Sequence, residues 1–428
     1  MTATYTEVQS LVPALQPRFS YGRGLRLIRE DGIEFLDAVS GTFNLPLGYD
    51  DPRVVEAVID QLRRCAHVSS SYSAPYAQAV LDALLELAPD NLGSGWMRDL
   101  TGSTANECAI KIAQKSTGKS DVLSLHLSHH GQTVFTTAIS GNAFRRSAFP
   151  ATRSAMSIKV PAPYCYRCPL QSSYPGCGFA CVESIADTLE YAGNGSVACM
   201  IIEPVLGNGG NIVPPPGYFD ALSQFCRERD ILLIADEVQT GIGRTGSMFA
   251  CETFDIRPNL MTLAKGLGGI GIPVAAVLME ERLDVLEKYD HSFTSGGNML
   301  AIAAARATIG VVGDPLFLAN VRRNGLALES LLRSLPEQFR CIGDVRGVGL
   351  MWGLEIVGQD NAPAPELAAR IISIAESRHH LILRGSRFGF GNVVKVRPAL
   401  IATPDDLDEL VARLALAIRD AENEKAAA

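Results

Sequence analysis

Between residues 95 and 280 the chain alternates short apolar runs with longer amphipathic stretches, and this alternation limits the fold more than any other feature. The runs are DVLSL, VACMIIEPV, ILLIADEV, LMTLA and IPVAAVLM. They are near-continuously apolar rather than apolar on alternate residues, which is the pattern of strands buried on both faces. Between them, NECAIKIAQKSTG carries apolar residues at helical spacing and a glycine stop, and PGYFDALSQFCRERD follows a proline-rich turn. Strands separated by helical crossovers predict an α/β large domain around a mostly parallel sheet.

On either side the texture differs. DDPRVVEAVIDQLRRCA and AQAVLDALLELAPD read as helices ahead of the sheet. After about residue 300, long helices (NMLAIAAARATIGVV, VRRNGLALESLLRSL, PELAARIISIAESR, DDLDELVARLALAIRDAENE) alternate with strand candidates VGLMWGLEIV and NVVKVRPAL. This predicts a smaller α/β C-terminal domain. The expected division is an N-terminal segment over 1–60 packing with the small domain, a large domain over 61–300 and a small domain over 301–428. A chain of 428 residues with 47% hydrophobic side chains can bury such a shared core. The final NEKAAA is expected to fray.

The net charge of -8 argues against a nucleic-acid or anionic-membrane partner, because both need a cationic field. A small-molecule partner follows. The N-terminus lacks a basic region followed by an apolar core, and no apolar window reaches about eighteen residues, so the expected location is cytoplasmic. Of ten cysteines, Cys65, Cys108, Cys199, Cys226, Cys251 and Cys341 are scattered among apolar neighbours and read as core thiols. Cys165, Cys168, Cys177 and Cys181 instead form C-x2-C-x8-C-x3-C, which fits either a tetrahedral zinc site or a loop of free thiols.

G-x-G-x-x-G occurs twice, at Gly241, Gly243, Gly246 and at Gly266, Gly268, Gly271. A dinucleotide site needs that loop to open directly into a helix, whose N-terminus holds the pyrophosphate. Neither copy does, which disfavours an NAD-dependent oxidoreductase. Lys265, by contrast, stands alone just past an apolar strand and among glycines, where desolvation lowers an amine's pKa. Asp236 lies at the carboxyl end of another buried strand, where open α/β sheets hold ligands. In TGSTANECAIKIA a small-residue turn, Thr101 to Thr104, enters a helix; alone it reads as a plain N-cap, but its free amides also suit a phosphate. Lysine, aspartate and phosphate turn together are what a pyridoxal phosphate enzyme requires.

TGSTANECAIKIA, SHHGQT, IIEPVLGNGG, LLIADEVQTGIGRTG, LAKGLGGIGIP and FTSGGNMLAIAAA, in this order, resemble the class III (ornithine/omega-type) aminotransferases of pyridoxal phosphate fold type I, the aspartate aminotransferase-like fold. The resemblance runs from about residue 20 to 415 and implies pyridoxal 5'-phosphate as cofactor. It implies that Lys265 forms the Schiff base and acts as base, and that Asp236 faces the pyridine nitrogen. Val238 then packs a ring face, Gln239 neighbours the phenolic oxygen, and Gly102 and Ser103 form the phosphate turn. Glu203 falls near the substrate side of the cofactor, where it pairs with an arginine or orders the ring-side network. Thr294 implies a homodimer, since it matches a threonine that reaches the phosphate from the second subunit.

The implied reaction moves an amino group between an amine or amino acid and a 2-oxo acid or aldehyde. A decarboxylating transaminase or phospho-lyase on the same scaffold is the alternative. Departures from the family pattern concern the substrate side. His129 replaces an aromatic residue and stacks or titrates beside His130, Thr104 stands in GSTAN, and Met299 replaces a proline. At the usual carboxylate-gripping arginine stands Lys395, with Arg397 two residues on and on the same strand face.

Overall fold

The computed structural model describes residues 19–427 except 70, 73, 150, 151, 153–156, 288, 387 and 388; residues 1–18 of the expected N-terminal segment thus lie outside the described residues. The described chain opens with three antiparallel strands, β1 (Phe19–Arg23), β2 (Arg26–Arg29) and β3 (Glu34–Asp37). A seven-stranded sheet follows, from β4 (Ser94–Asp99), β5 (Asp121–Leu125), β6 (Ser157–Val160), β7 (Val197–Ile202), β8 (Leu232–Asp236), β9 (Leu260–Leu263) and β10 (Ala275–Met279), in the order β4-β10-β9-β8-β7-β5-β6.

All five apolar runs are strands of this sheet. The β6, β5, β7, β8 and β9 strands are parallel, while β10 runs antiparallel to both β9 and β4. The reason is connection length. Only residues 264–274 join β9 to β10, with no crossover helix among them, and a parallel return needs a crossover of a dozen or more residues. That short reversing connection carries Lys265.

Helices cover both faces of the large sheet. On one, Ala105, Ile110 and Ile112 of the helix Gly102–Thr117 pack on Val122, Ile201, Ile234 and Val277. On the other, Val54 of Pro52–Arg64 and Met299, Ala301 and Ala305 of Met299–Val312 share a core with Leu123, Leu233 and Leu278. The remaining strands are β11 (Ile342–Val348), β12 (Met351–Ile356), β13 (Leu381–Ile382), β14 (Arg384–Gly385) and β15 (Val393–Val396), and β11-β12-β15-β14 form an antiparallel sheet. The short β13 pairs parallel with β3, and Leu25, Leu36 and Ala38 join the core of Leu328, Trp352, Ile371 and Leu414.

Two local expectations differ from the structure. The helix Pro404–Ala427 runs through the stretch read as a frayed tail, because Glu, Lys and Ala are all strong helix formers. Cys65 is half-buried and its thiol donates to the His67 carbonyl, whereas the other five scattered cysteines are buried. Among the described residues no single helix is long and apolar enough to cross a membrane.

Candidate active site

A cavity of about 390 Å³ opens at the carboxyl ends of β5, β7 and β8, the edge where parallel sheets expose strand-end loops to ligands. Gly102, Ser103, His129, Glu203, Asp236, Val238, Gln239 and Lys265 all line it. Eight positions from five separate stretches of sequence therefore meet in one place.

Lys265 follows β9 directly and adopts a left-handed backbone (φ 44°), an uncommon conformation for a residue with a side chain. The turn beyond it depends on glycine at two points. Gly269 (φ 70°) would collide with the Thr308 hydroxyl if it carried a Cβ, and Gly271 has φ 97°. Gly266 and Gly268 have room for a side chain, so the G-x-G-x-x-G spelling does not describe what the backbone requires. Burial pushes the Lys265 amine down to about 8; Asp236 and Glu203 oppose that shift, and the Arg397 charge adds to it.

Asp236 is 3% exposed and heavily hydrogen bonded. Its Oδ2 lies 2.8 Å from His130 Nδ1 and accepts from Asn106 Nδ2 at 2.8 Å, while Oδ1 accepts from the Val238 amide at 3.1 Å. Burial favours the neutral acid, but His130, Lys265 and Asn106 outweigh it and hold the carboxyl below its ordinary range. Asn106 is itself fixed: Nδ2 also donates to the His130 carbonyl at 2.8 Å, and Oδ1 accepts from Thr262 at 2.7 Å. An ionised aspartate is thus positioned in a largely apolar sheet end.

The turn at Thr101 combines the two readings its sequence allowed. The Thr101 hydroxyl accepts from the Thr104 amide at 3.3 Å and the Thr104 hydroxyl accepts from the Thr101 amide at 3.2 Å, a capping box built from two threonines. The amides of Gly102 and Ser103, on the first turn, have no intrahelical acceptor and remain available to an anion. The Ser103 hydroxyl accepts from the Gln132 amide at 3.1 Å, tying the turn to the SHHGQT loop. A Cβ on Gly102 would lie 2.6 Å from Val238 Cγ1, so glycine is needed for the turn to approach the cavity wall.

Glu203 pairs with backbone rather than with an arginine. Its Oε1 accepts from the His129 amide at 2.8 Å and its Oε2 from the Gly207 amide at 3.0 Å. Burial pushes it up to about 7, partly opposed by His130. Of the two implied roles, ordering the ring-side network is the one this geometry matches.

The residues suit pyridoxal phosphate. The cavity offers a helix N-terminus for the phosphate, a buried carboxylate for a protonated ring nitrogen, and a neutralisable amine; the buried Gln239 Oε1 in its wall has no hydrogen-bond partner among the described residues. Lys395 and Arg397 do not line this cavity. Both are buried, and Arg397 lies with its guanidinium 4.2 Å from the centre of the Phe43 ring, beside the Asn44 that does line it. Burial and the neighbouring Arg244 charge push Arg397 down to about 9, and its Nε has no partner among the described residues. Thr294 is exposed and does not line its own chain's cavity.

Cys165, Cys168, Cys177 and Cys181 form no disulfide, and burial with the neighbouring sulfurs pushes Cys181 up to about 11. Among the described residues the only set of three or more potential metal ligands with donor atoms within 4.8 Å of one another is Asp99, Cys108 and His291. Sequence reasoning missed Asn106 and Thr262. Their only signal was a polar residue on the buried face of a helix and another inside an apolar strand.

Residues 13–418 match the family model described as Aminotransferase class-III. A leucine/methionine racemase of Thermococcus litoralis is 34% identical, over 91% of this chain and 87% of that protein. An acetylornithine aminotransferase of Methanothermobacter thermautotrophicus is 32% identical over 94% and 93%. The crystal structure of a PMP-bound aminotransferase from Vibrio fluvialis superposes with a TM-score of 0.89 at 27% identity, covering 98% of this chain and 96% of that one.

Proposed function

The chain belongs to the class-III aminotransferases and is a pyridoxal phosphate-dependent aminotransferase, and from that premise we propose which of its residues carry the reaction. Lys265 is the group that binds the cofactor and then moves the substrate proton. The observation that carries this reading is an amine pushed down to about 8 in a cavity it shares with a buried, ionised Asp236. The bound cofactor supplies an electron sink for the carbanion left when that proton departs.

Asp236 would keep a proton on the ring nitrogen, and His130 and Asn106 keep Asp236 ionised and aimed. Gly102 and Ser103 hold the phosphate through their free amides, and Val238 supports a ring face. Gln239 would donate to the phenolic oxygen and His129 would stack on the ring, with the His129 amide fixed by Glu203. Arg397, with Lys395 as a second cation, receives the carboxylate of an amino-acid donor, and the acceptor is a 2-oxo acid. With the cofactor bound, Lys265 would serve as the base that takes the proton from the substrate carbon and as the acid that hands it back.

We further propose a cytoplasmic homodimer in which Thr294 of each subunit completes the other's phosphate site; Thr294 is exposed and does not line its own chain's cavity, which supports this. The working units are a large cofactor-binding domain and a small C-terminal domain that β1 to β3 join, as the pairing of β3 with β13 supports. A single-turnover experiment tests the function. An amino donor added without acceptor should yield oxo product equal to bound cofactor and stop, and a 2-oxo acid should restart it. Racemisation of the donor without oxo product would replace transamination by the reaction named for the Thermococcus relative.

A further inference from the structure

Thr294 stands at the tip of a tight turn, closed by the Gly296 amide donating to the Phe293 carbonyl at 3.0 Å. Both flanks of that turn are anchored. After it, Asn298 caps the helix Met299–Val312, accepting from the Ala301 amide at 3.0 Å and donating to the Ser295 carbonyl at 3.1 Å. Gly296 lies so close to the Arg98 carbonyl that a Cβ would collide with it, which sets the turn against the end of β4.

Before the turn, the anchor is a buried side chain. His291 Nε2 lies 3.0 Å from Asp99 Oδ1, and Nδ1 lies 3.3 Å from Lys111 Nζ, which also donates to the Asp290 carbonyl at 3.1 Å. Phe293 and Trp96 meet the imidazole edge-on at 5.1 and 6.2 Å. Asp99 is the last residue of β4, two positions before the Thr101 cap, and Lys111 lies on the helix that begins at the phosphate turn. Both ring nitrogens are therefore engaged, each by a part of the frame that holds this chain's own phosphate turn.

We propose that His291 is a positioning residue for the neighbouring subunit's cofactor, holding the Phe293–Gly296 turn so that Thr294 is presented to the partner's phosphate. This rests on the shared-site reading above. A metal held by Asp99, Cys108 and His291 would instead take the place of the proton between His291 Nε2 and Asp99 Oδ1, and the experiment below separates the two. A buried His–Asp pair of this kind fixes the ring and hence the loop it belongs to.

Mixed dimers test it, with two differently tagged chains co-expressed and cofactor binding read at the lysine-linked absorbance band. When one chain carries Lys265→Ala and the other His291→Leu, the lysine-bearing site receives Thr294 from a chain with intact His291. Half-saturation by pyridoxal phosphate should then match the wild type. When Lys265→Ala and His291→Leu are on the same chain, opposite a wild-type chain, the lysine-bearing site receives a displaced Thr294 and should bind about tenfold more weakly, the effect of losing one charge-assisted hydrogen bond. Asp99→Asn, which keeps the side-chain size, should give the same pattern if His291→Leu folds poorly. Equal weakening in both arrangements would overturn the inference, as would stoichiometric zinc that His291→Leu removes. Thr294→Val run in parallel separates the two levels: no weakening in either arrangement sinks the shared site itself, whereas weakening by Thr294→Val alone sinks only His291.

Discussion

Replacing Gly102 by alanine gives a quantitative test of the phosphate turn. The new Cβ would sit 2.6 Å from Val238 Cγ1, 3.0 Å from Cγ2 and 3.3 Å from Cβ, against a comfortable carbon–carbon separation of roughly 3.5–4.0 Å. About 1 Å of movement is needed. Val238 is buried, β-branched and tied to Asp236 through its amide, so it has little freedom to yield. The turn moves instead. Overpacking of this size costs about 1–3 kcal/mol, and pulling one amide off a phosphate oxygen costs about 1.5–3 kcal/mol, or roughly 10- to 150-fold in affinity.

Titration of the cofactor-free protein with pyridoxal phosphate, with inorganic phosphate as competitor, measures that loss directly. The collision can be isolated by repeating it in a Val238→Ala background, where the penalty of Gly102→Ala should shrink by most of its overpacking share. Melting of the cofactor-free protein should not fall for backbone reasons, since alanine is the better residue in a first helical turn. Affinity within twofold of wild type, or an equal penalty in both backgrounds, would refute the reasoning that Gly102 sets the distance between the amides and the cavity wall.

Three further outcomes are expected. With the Lys265 amine near 8 rather than its ordinary value, about a tenth is neutral at pH 7, so the rate of cofactor capture should rise about tenfold per pH unit below 8 and level above it; a rise continuing past pH 10 in stopped-flow absorbance would mean an ordinary lysine. Asn106→Ala removes one donor from Asp236 and strands the Thr262 hydroxyl and His130 carbonyl, which should lower stability in urea unfolding by about 2–5 kcal/mol; a loss under about 0.5 kcal/mol, the scale of an ordinary surface change, would discount the network. Arg397→Met should raise KM for α-amino-acid donors about tenfold or more while sparing amines without a carboxylate, and relieving its repulsion with Arg244 should leave the melting temperature unchanged or higher; equal effects on both donor types would remove Arg397 from substrate binding.

The large sheet was legible because its strands are buried on both faces and so are written as unbroken apolar runs, and the residues that line the cavity because they sit in short motifs at strand ends. What was not legible depends on contacts far apart in sequence. Asn106 meets Asp236 across 130 positions, and nothing in TANE distinguishes an amide that holds a carboxylate from one that faces water. The antiparallel direction of β10 follows from a count, since the segment between LMTL and AAVLM is too short for a parallel return, and it leaves the sheet mostly parallel as the apolar runs implied. The N-cap at Thr101 was legible, but its reciprocal bond with Thr104 was not, because threonine stands where Glu or Gln is normally sought. The proposed role of Arg397 draws on a guanidinium stacked on Phe43 whose Nε has no partner among the described residues, an arrangement that only the folded chain displays.

The central claim is that Lys265 is the residue that binds the cofactor. Borohydride reduction of the holoenzyme, followed by proteolysis and mass spectrometry, tests it most directly. The account predicts one reduced cofactor per chain, on the peptide containing Lys265, with none recovered from Lys265→Ala and no turnover by that variant. An adduct on any other lysine, or a Lys265→Ala protein that still transfers amino groups at the wild-type rate, would contradict it.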